Sequence, residues 1–368
     1  MTLVSIVGTR PQFVKLAPVC RAIEVFNSGS ETLRIEHRII HTGQHYDHEV
    51  AELLFVQMGI PEPDCNLAIG SASHGTQLAR MLARLERVLI RGHVDWVINY
   101  GDTNSALAGA LVAARLHLPL AHVEAGCRSA DIRMPEEQTR IVADHLSRLL
   151  LAPSESALEN LKREGIGGGD DPLKRRTVVV GDLMYDALLQ SLPLAEESGE
   201  RYLQEYELES GGYYLLTLHR AENTNDPKRL AATLGAAGTL DLPVLFPVHP
   251  RTKNVLAEAG LSLNGNLRPV PPVGYLQMLT LEKNARKILT DSGGVQKEAF
   301  YLGVPCVTLR DTTEWPETVR LGANDVIGTD PERIHDAAMR YSGGGPWAEA
   351  PYGNGKAAER IVSELLGA

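Results

Sequence analysis

The stretch TDSGGVQKEAFYLGVP, residues 290–305, decides how this chain folds. It follows an apolar-leaning run at 285–289 and leads into a helix-compatible segment, so Ser292, Gly293 and Gly294 fall where a strand turns into a helix. Two glycines there let the backbone approach a ligand closely, and the free N–H groups and helix dipole favour an anion. Glu298 lies one turn further in, within reach of a sugar hydroxyl. The stretch predicts a diphosphate cradle for a sugar-bearing ligand; an ordinary glycine-containing strand–helix turn is the alternative.

Short apolar, often β-branched runs alternate with helix-length segments along the rest of the chain. This alternation predicts an α/β fold with parallel sheets covered by helices on both faces. Strands are expected at 3–7, 36–41, 96–100, 120–123, 149–152, 177–180, 213–217, 244–248, 287–290, 306–309 and 325–327. Helices are expected in the first half at 11–27, 47–58, 76–91, 104–116 and 136–147.

The alternation is interrupted at 165–176, a segment with Gly, Asp and Pro followed by charges. We therefore expect two doubly wound, Rossmann-like domains, 1–172 and 173–355, with a C-terminal helix at 356–368 that packs back on the first. Ligands of such sheets bind at the carboxyl ends of the strands, so the site is expected in a cleft that both domains face.

Composition limits the partners. The 43% hydrophobic content of the 368 residues supports globular packing, and the net charge of −10 without basic blocks argues against nucleic acid. The four cysteines are scattered with no Cys-x-x-Cys pair, as in a reduced cytoplasmic protein. The N-terminus resembles a first strand rather than a signal peptide, and no segment is apolar and long enough to span a membrane.

Acidic residues follow the predicted strands of the first half. Asp102 comes after the strand at 96–100 and Glu124 after the strand at 120–123, while Glu136 and Arg140 lie one turn apart at a helix start. An N-cap would explain Asp102, and a helix-stabilising ion pair would explain Glu136 with Arg140. Three acidic loops at the same edge of one sheet favour a site instead.

Basic and histidine residues follow other strands. Arg10 and Lys15, after the first strand, are candidate phosphate or carboxylate ligands. His41 and His45 have the spacing of a zinc helix, but Gly43 intervenes and no general-base Glu is present, so we expect a packing loop and no metal. No Gly-x-Gly-x-x-Gly motif follows any strand, which argues against a dinucleotide cofactor.

The second half supplies His219 and His249 after consecutive strands, and Arg310 after the strand that follows the cradle. A histidine at such a position can carry a proton or bind phosphate. Arg310 can reach a nucleotide or support its own loop. Together these groups predict proton chemistry on an anionic, sugar-like ligand.

Taken together, these residues resemble those of the non-hydrolysing UDP-N-acetylglucosamine 2-epimerases. The matching stretches lie in order along nearly the whole chain: 8–18 (GTRPQFVKLAP), 42–45 (TGQH), 101–104 (GDTN), 122–129 (HVEAGCRS), 135–140 (PEEQTR), 217–223 (TLHRAEN), 248–251 (VHPR), 291–299 (DSGGVQKEA) and 310–317 (RDTTEWPE). The resemblance implies a glycosyltransferase-B-like fold, a homodimer, no cofactor, and conversion of UDP-N-acetylglucosamine to UDP-N-acetylmannosamine.

The resemblance also implies a mechanism and a set of residues. UDP is eliminated across C1–C2, a glycal intermediate turns over, and UDP adds back. The implied acid–base residues are Asp102, Glu124 and Glu136, with Arg140 orienting them and His219 meeting the leaving phosphate. The implied nucleotide-binding residues are Arg10, Lys15, His249, Ser292, Gly293, Gly294 and Glu298.

The chain departs from the family pattern at Gln12 and Trp315, where Glu and Arg are common, and the loop after the second strand reads Tyr46-Asp47-His48. At Gln12 and Trp315 the chain resembles the related 2-epimerases of UDP-2,3-diacetamido-glucuronic acid, so the identity of the substrate sugar stays open. The different loop sequence leaves open whether a second substrate molecule activates the enzyme. A retaining glycosyltransferase and a non-catalytic nucleotide-sugar sensor are the alternatives from other functional classes.

Overall fold

The computed structural model describes residues 1–44, 54–169, 171–340 and 343–367. The chain divides into two compact units, the first made of Met1–Gln190 with Pro351–Ala368 and the second of Ser191–Ala350. Within the described ranges, no helix has both the length and the apolar content needed to cross a membrane.

The first unit is built on a seven-stranded parallel sheet in the order β3-β2-β1-β4-β5-β6-β7. Helices cover both faces, and strands buried on both faces read as nearly continuous apolar runs, as β1 and β4 do. The strands are β1 (Thr2–Val7), β2 (Glu36–His41), β3 (Cys65–Asn66), β4 (Trp96–Tyr100), β5 (Leu120–Val123), β6 (Leu149–Ala152) and β7 (Arg176–Val179).

The labelled helices of the first unit are α1 (Arg10–Gly29), α2 (His74–Leu89), α3 (Asn104–Arg115), α4 (Pro135–Leu146), α5 (Glu155–Arg163), α6 (Leu183–Glu197), which runs across the division, and α15 (Ala357–Leu366). Pro11 lies in the first turn of α1, where a missing N–H is tolerated. Helix α15 packs against α1, so the chain returns to the first unit after completing the second.

The second unit repeats the design with a six-stranded parallel sheet in the order β10-β9-β8-β11-β12-β13. Its strands are β8 (Tyr214–Thr217), β9 (Val244–Pro247), β10 (Leu267–Val270), β11 (Lys287–Thr290), β12 (Cys306–Thr308) and β13 (Asn324–Val326). Its helices are α7 (Gly199–Glu205), α8 (Ala221–Thr224), α9 (Pro227–Gly238), α10 (Pro250–Glu258), α11 (Tyr275–Lys283), α12 (Gly293–Leu302), α13 (Pro316–Arg320) and α14 (Pro331–Met339). The predicted fold class, two doubly wound α/β domains, is confirmed by the two sheets.

Two details differ from expectation. The boundary expected after residue 172 moves to Gln190, because β7 pairs with β6 and therefore belongs to the first sheet. The strands β3 and β10, which lie at sheet edges, were not predicted. The helix predicted at 47–58 lies partly outside the described residues; of it, residues 54–58 are helical.

Candidate active site

The predicted site residues fall into two groups, one on each unit. The first unit carries Arg10, Lys15, Asp102, Glu124, Glu136 and Arg140. The second unit carries His219, His249, Ser292, Gly293, Gly294, Glu298 and Arg310. Most of them lie at or just beyond the carboxyl ends of strands, as parallel-sheet sites require.

In the first unit, Lys15 and Glu124 form an ion pair beside the turn that follows β4. The Lys15 ammonium donates to Glu124 Oε2, and the two side chains are only 8% and 11% exposed. A Cβ added to Gly101 would lie 3.0 Å from Glu124 Oε2 and 3.2 Å from Lys15 Nζ, at a φ of +63°. Glycine at this position therefore lets the turn before Asp102 approach the pair. Glu124 itself has a φ of +70°, a conformation rare for a side-chain-bearing residue and found preferentially at functional positions.

Asp102 is held by Arg140 on α4. Arg140 Nη2 donates to Asp102 Oδ2 over 2.5 Å, and Nη1 donates to Glu137 Oε2 over 2.9 Å. Glu137 in turn accepts hydrogen bonds from the backbone N–H groups of Ser129 and Ala130 at 2.9 and 3.1 Å. The Arg140 guanidinium therefore links Asp102 to Glu137 and, through Glu137, to the loop at 129–130. The Asp102 side chain remains 27% exposed.

Glu136 and Arg10 complete the first group, and Gln12 lies two residues after Arg10 on α1. Glu136 is half-buried in the first turn of α4, where the helix dipole favours a carboxylate, and Arg10 is half-buried at the start of α1. Gln12 is buried; it accepts from Gly8 N–H at 2.8 Å and donates to Tyr100 O at 2.9 Å. A glutamate could not make both bonds, since an ionised carboxylate only accepts.

Sequence reasoning missed a buried pair behind this group. His122 Nδ1 lies 2.6 Å from Asp144 Oδ1, and His122 Nε2 lies 2.9 Å from the carbonyl oxygen of Gly101. Burial opposes ionisation of Asp144, but the charges and hydrogen bonds of His122 and Arg128 outweigh it and hold the pKa of the carboxyl below its usual value. The sequence pattern that could have identified Asp144 is its spacing from Glu137 and Arg140, which puts three charged residues on one helix face.

The loop after β2 is only partly described. His41 is buried and stacks on Phe13 with ring centroids 5.1 Å apart, which fits the expected packing role. Gln44 accepts hydrogen bonds from the backbone N–H and the hydroxyl of Ser105 at 3.0 and 2.7 Å. His45, Tyr46, Asp47 and His48 lie outside the described residues, so the paired-histidine metal alternative and the activating-substrate loop stay expectations.

In the second unit, the predicted cradle begins α12. Ser292 is the N-cap, and its hydroxyl accepts from Val295 N–H at 3.4 Å. Glu298 is 6% exposed on the same helix. A Cβ added to Gly293 would lie 3.4 Å from Trp315 Nε1, 3.7 Å from Glu314 Oε2 and 3.9 Å from Arg220 Nη2, so two donors and one carboxylate lie close to the glycine backbone.

His219 follows β8 and is fixed by the buried carboxylate of Asp291. Its backbone N–H donates to that carboxylate at 3.0 Å, and its Nδ1 lies 3.2 Å from Asp291 Oδ1. Burial lowers the pKa of His219, and the cations of Arg220, Arg251 and Arg310 add to this against the opposing charge of Asp291. A neutral ring that donates Nδ1–H to Asp291 leaves Nε2 as a proton acceptor. The His249 ring is 5.2 Å away, centroid to centroid.

Arg310 supports its own loop. The guanidinium is 1% exposed, makes two hydrogen bonds with Glu314 at 2.9 and 3.0 Å, and donates to Glu222 Oε1 at 3.0 Å. Of its two predicted roles, the contacts favour the supporting one over direct nucleotide binding. Within the same loop, Trp315 lies over the Lys297 ammonium, 4.0 Å from ring centroid to Nζ.

Known proteins have similar sequences and the same fold. The family model described as UDP-N-acetylglucosamine 2-epimerase matches residues 28–366. A Methanococcus maripaludis protein named UDP-N-acetylglucosamine 2-epimerase homolog is 45% identical, and a Pseudomonas aeruginosa UDP-2,3-diacetamido-2,3-dideoxy-D-glucuronate 2-epimerase is 42% identical, each over 99% of both chains. The crystal structure of Methanocaldococcus jannaschii UDP-GlcNAc 2-epimerase in complex with UDP-GlcNAc and UDP superposes with a TM-score of 0.90, at 44% identity and full coverage of both chains. By sequence and by fold, then, this chain belongs to the UDP-N-acetylglucosamine 2-epimerase family.

Proposed function

We propose that this chain inverts C2 of UDP-N-acetylglucosamine to give UDP-N-acetylmannosamine. The observation that supports it most is the pair of partly buried carboxylates at neighbouring strand ends, each fixed by its own cation. Glu124 is fixed by Lys15 and Asp102 by Arg140. Proton transfer at carbon needs acid–base groups held in one orientation, and these contacts provide it.

The chemistry explains why several groups are needed. The C2 proton is not next to a carbonyl, so removing it alone is too costly. A base takes the C2 proton while the C1–O bond breaks, the electron pair forms the C1=C2 bond of a glycal, and the diphosphate oxygen departs with UDP. An acid then protonates C2 from the opposite face as UDP adds back to C1. Asp102, Glu124 and Glu136 supply the acid–base groups in this proposal.

Groups of the second unit would bind the nucleotide and stabilise the departing diphosphate. The backbone at Gly293 and Gly294 begins α12, where N–H groups and the helix dipole favour phosphate oxygens. His219, held by Asp291, would meet the leaving phosphate. The backbone N–H groups at the start of α12 are donors held in place in advance, and such donors stabilise charge that develops during bond breaking.

UDP-2,3-diacetamido-2,3-dideoxyglucuronate is the second candidate substrate. The observation that favours it is Trp315, which covers Lys297 with its ring where the family commonly has a flexible arginine. The 42% identical relative named for that sugar supports the same reading. The two candidates share one mechanism and differ in the groups at C3 and C6 of the sugar.

One experiment separates them. The protein is incubated with each UDP-sugar in heavy water, and the products are identified by NMR. We expect a C2 epimer from only one of the two UDP-sugars. Solvent deuterium should then be present at C2 of the epimer and of the recovered substrate. An epimer that keeps its C2 hydrogen would contradict the elimination mechanism, and transfer to an added acceptor without an epimer would favour a retaining glycosyltransferase.

We also propose that the enzyme is a homodimer and acts in the cytoplasm. Family membership supports the first, and the scattered positions of the four cysteines, with no Cys-x-x-Cys pair, support a reducing compartment. Light scattering on the purified protein tests the association: we expect about twice the 40.0 kDa chain mass, and a mass of one chain would contradict it.

A further inference from the structure

Helix α4 turns a row of charged side chains toward the protein interior. Glu137, Arg140 and Asp144 lie at positions i, i+3 and i+7, which share one helix face, and their exposures are 3%, 5% and 0%. An inward face is normally apolar, because burying charge is costly unless every charge is paired and hydrogen-bonded. Three buried charges on one helix face therefore indicate a role beyond packing. Arg140 already has such a role, because it holds the Asp102 carboxylate.

Asp144 ties together the two loops that carry the candidate acid–base groups. One carboxylate oxygen lies 2.6 Å from His122 Nδ1, and the other accepts from Gly126 N–H at 3.0 Å. Gly126 follows Glu124 by two residues. On the other side of the ring, His122 Nε2 lies 2.9 Å from the carbonyl oxygen of Gly101, which belongs to the peptide bond that leads into Asp102.

The hydrogen-bond partners of His122 indicate which of its two ring nitrogens carry a proton. A backbone carbonyl oxygen can only accept, so Nε2 must carry a proton. Asp144 accepts from the Gly126 N–H and pairs with the Arg128 guanidinium, which favours its ionised form, and an ionised carboxylate opposite Nδ1 requires a proton on that nitrogen too. The ring is then an imidazolium, fully buried between Asp144 and the Gly101 carbonyl. Arg128, itself paired with Glu164, adds a second positive charge to Asp144 at 2.7 Å.

We propose that Asp144 is a positioning residue that keeps His122 as an imidazolium and, through it, fixes the Gly101–Asp102 peptide and the loop of Glu124 for proton transfer. This inference rests on the proposed function for its catalytic part. Its structural part, the doubly protonated ring, is inferred from the hydrogen-bond geometry and from the Arg128 charge beside Asp144.

Asp144→Asn tests the proposal with little change of shape. The amide oxygen can still accept from Gly126 and Arg128, and the amide NH₂ can face Nδ1 of a ring that has lost that proton. In ¹⁵N-histidine-labelled protein, with the resonances assigned by their loss in His122→Gln, we expect two protonated nitrogens in the wild type and one in the variant. We expect kcat to fall about 10²-fold, the scale of small misplacements of reacting groups, while KM stays close to the wild-type value.

Asp171→Asn is the matched control. Asp171 is equally buried and accepts from the backbone N–H groups of Gly167 and Leu173 and from Arg175, none of which is a candidate site residue. An equal loss of kcat in both variants would overturn the proposal, as would a singly protonated His122 ring in the wild type. A wild-type protein without epimerase activity would refute the proposed function, and the ring signals would still decide the structural part.

Discussion

Replacing Asp102 by asparagine is expected to lower kcat for C2 epimerisation by about 10²- to 10⁴-fold, the range typical for loss of a positioned acid or base. The amide oxygen can still accept the hydrogen bond that Arg140 donates over 2.5 Å, so the local structure should survive. What disappears is the ability to exchange a proton with C2. The measurement is the initial rate of epimer formation by NMR, together with deuterium incorporation at C2.

Asp95→Asn provides the control for this prediction. Asp95 precedes β4 and Asp102 follows it, so the two carboxylates lie beyond opposite ends of one strand with similar side-chain exposures of 34% and 27%. Asp95 accepts from the Thr2 N–H at 2.6 Å, a bond that asparagine can keep. We expect near wild-type activity from Asp95→Asn. A wild-type rate in Asp102→Asn would remove Asp102 from the acid–base set.

Arg310→Met is expected to destabilise the protein by about 3–5 kcal/mol of unfolding free energy, the usual cost of removing one partner of a buried ion pair. Arg310 and Glu314 are 1% and 2% exposed and share two hydrogen bonds, so the methionine leaves the Glu314 carboxylate in the interior without its Arg310 partner. Urea unfolding followed by circular dichroism and tryptophan fluorescence measures the effect. Trp315 and Trp347 both belong to the second unit and report on it directly.

Two companion variants make the stability prediction specific. Adding Glu314→Gln to Arg310→Met also removes the buried negative charge of Glu314. The double variant should therefore recover much of the lost stability. Arg320→Met breaks an exposed pair with Glu349, in which the side chains are 57% and 53% exposed, and should cost much less stability than Arg310→Met because solvent screens the pair. Equal costs for Arg310→Met and Arg320→Met would contradict the supporting role assigned to Arg310.

The order of strands and helices followed from the sequence because central strands of parallel sheets are buried on both faces and read as apolar runs. The two missed strands lie at sheet edges. Cys65–Asn66 has only two residues, and Leu267–Val270 contains Pro269, which lowers the strand signal but is tolerated at an edge. The domain boundary moved because the break at 165–176 lies between α5 and β7, inside the first unit.

The site was predictable where its residues follow strands, because the carboxyl ends of parallel strands meet at one edge. By this rule Asp102 and Glu124 were predicted as site residues, and the structure places both just beyond strand ends. His122 and Asp144 were not predicted, since His122 lies within β5 and a charged residue in the middle of a helix normally faces solvent. Only the three-dimensional arrangement of β4, β5 and α4 brings His122 to the Gly101 carbonyl and Asp144 to His122.

The return of the chain to the first unit through α15 has a consequence for how the protein is made. Residues 191–350 must leave the ribosome before the helix that packs on α1 is available. At typical synthesis rates of 5–20 residues per second, the first unit waits roughly 10–35 s with the surface that α15 will cover exposed. Nascent chains halted before residue 351 should therefore engage chaperones through α1.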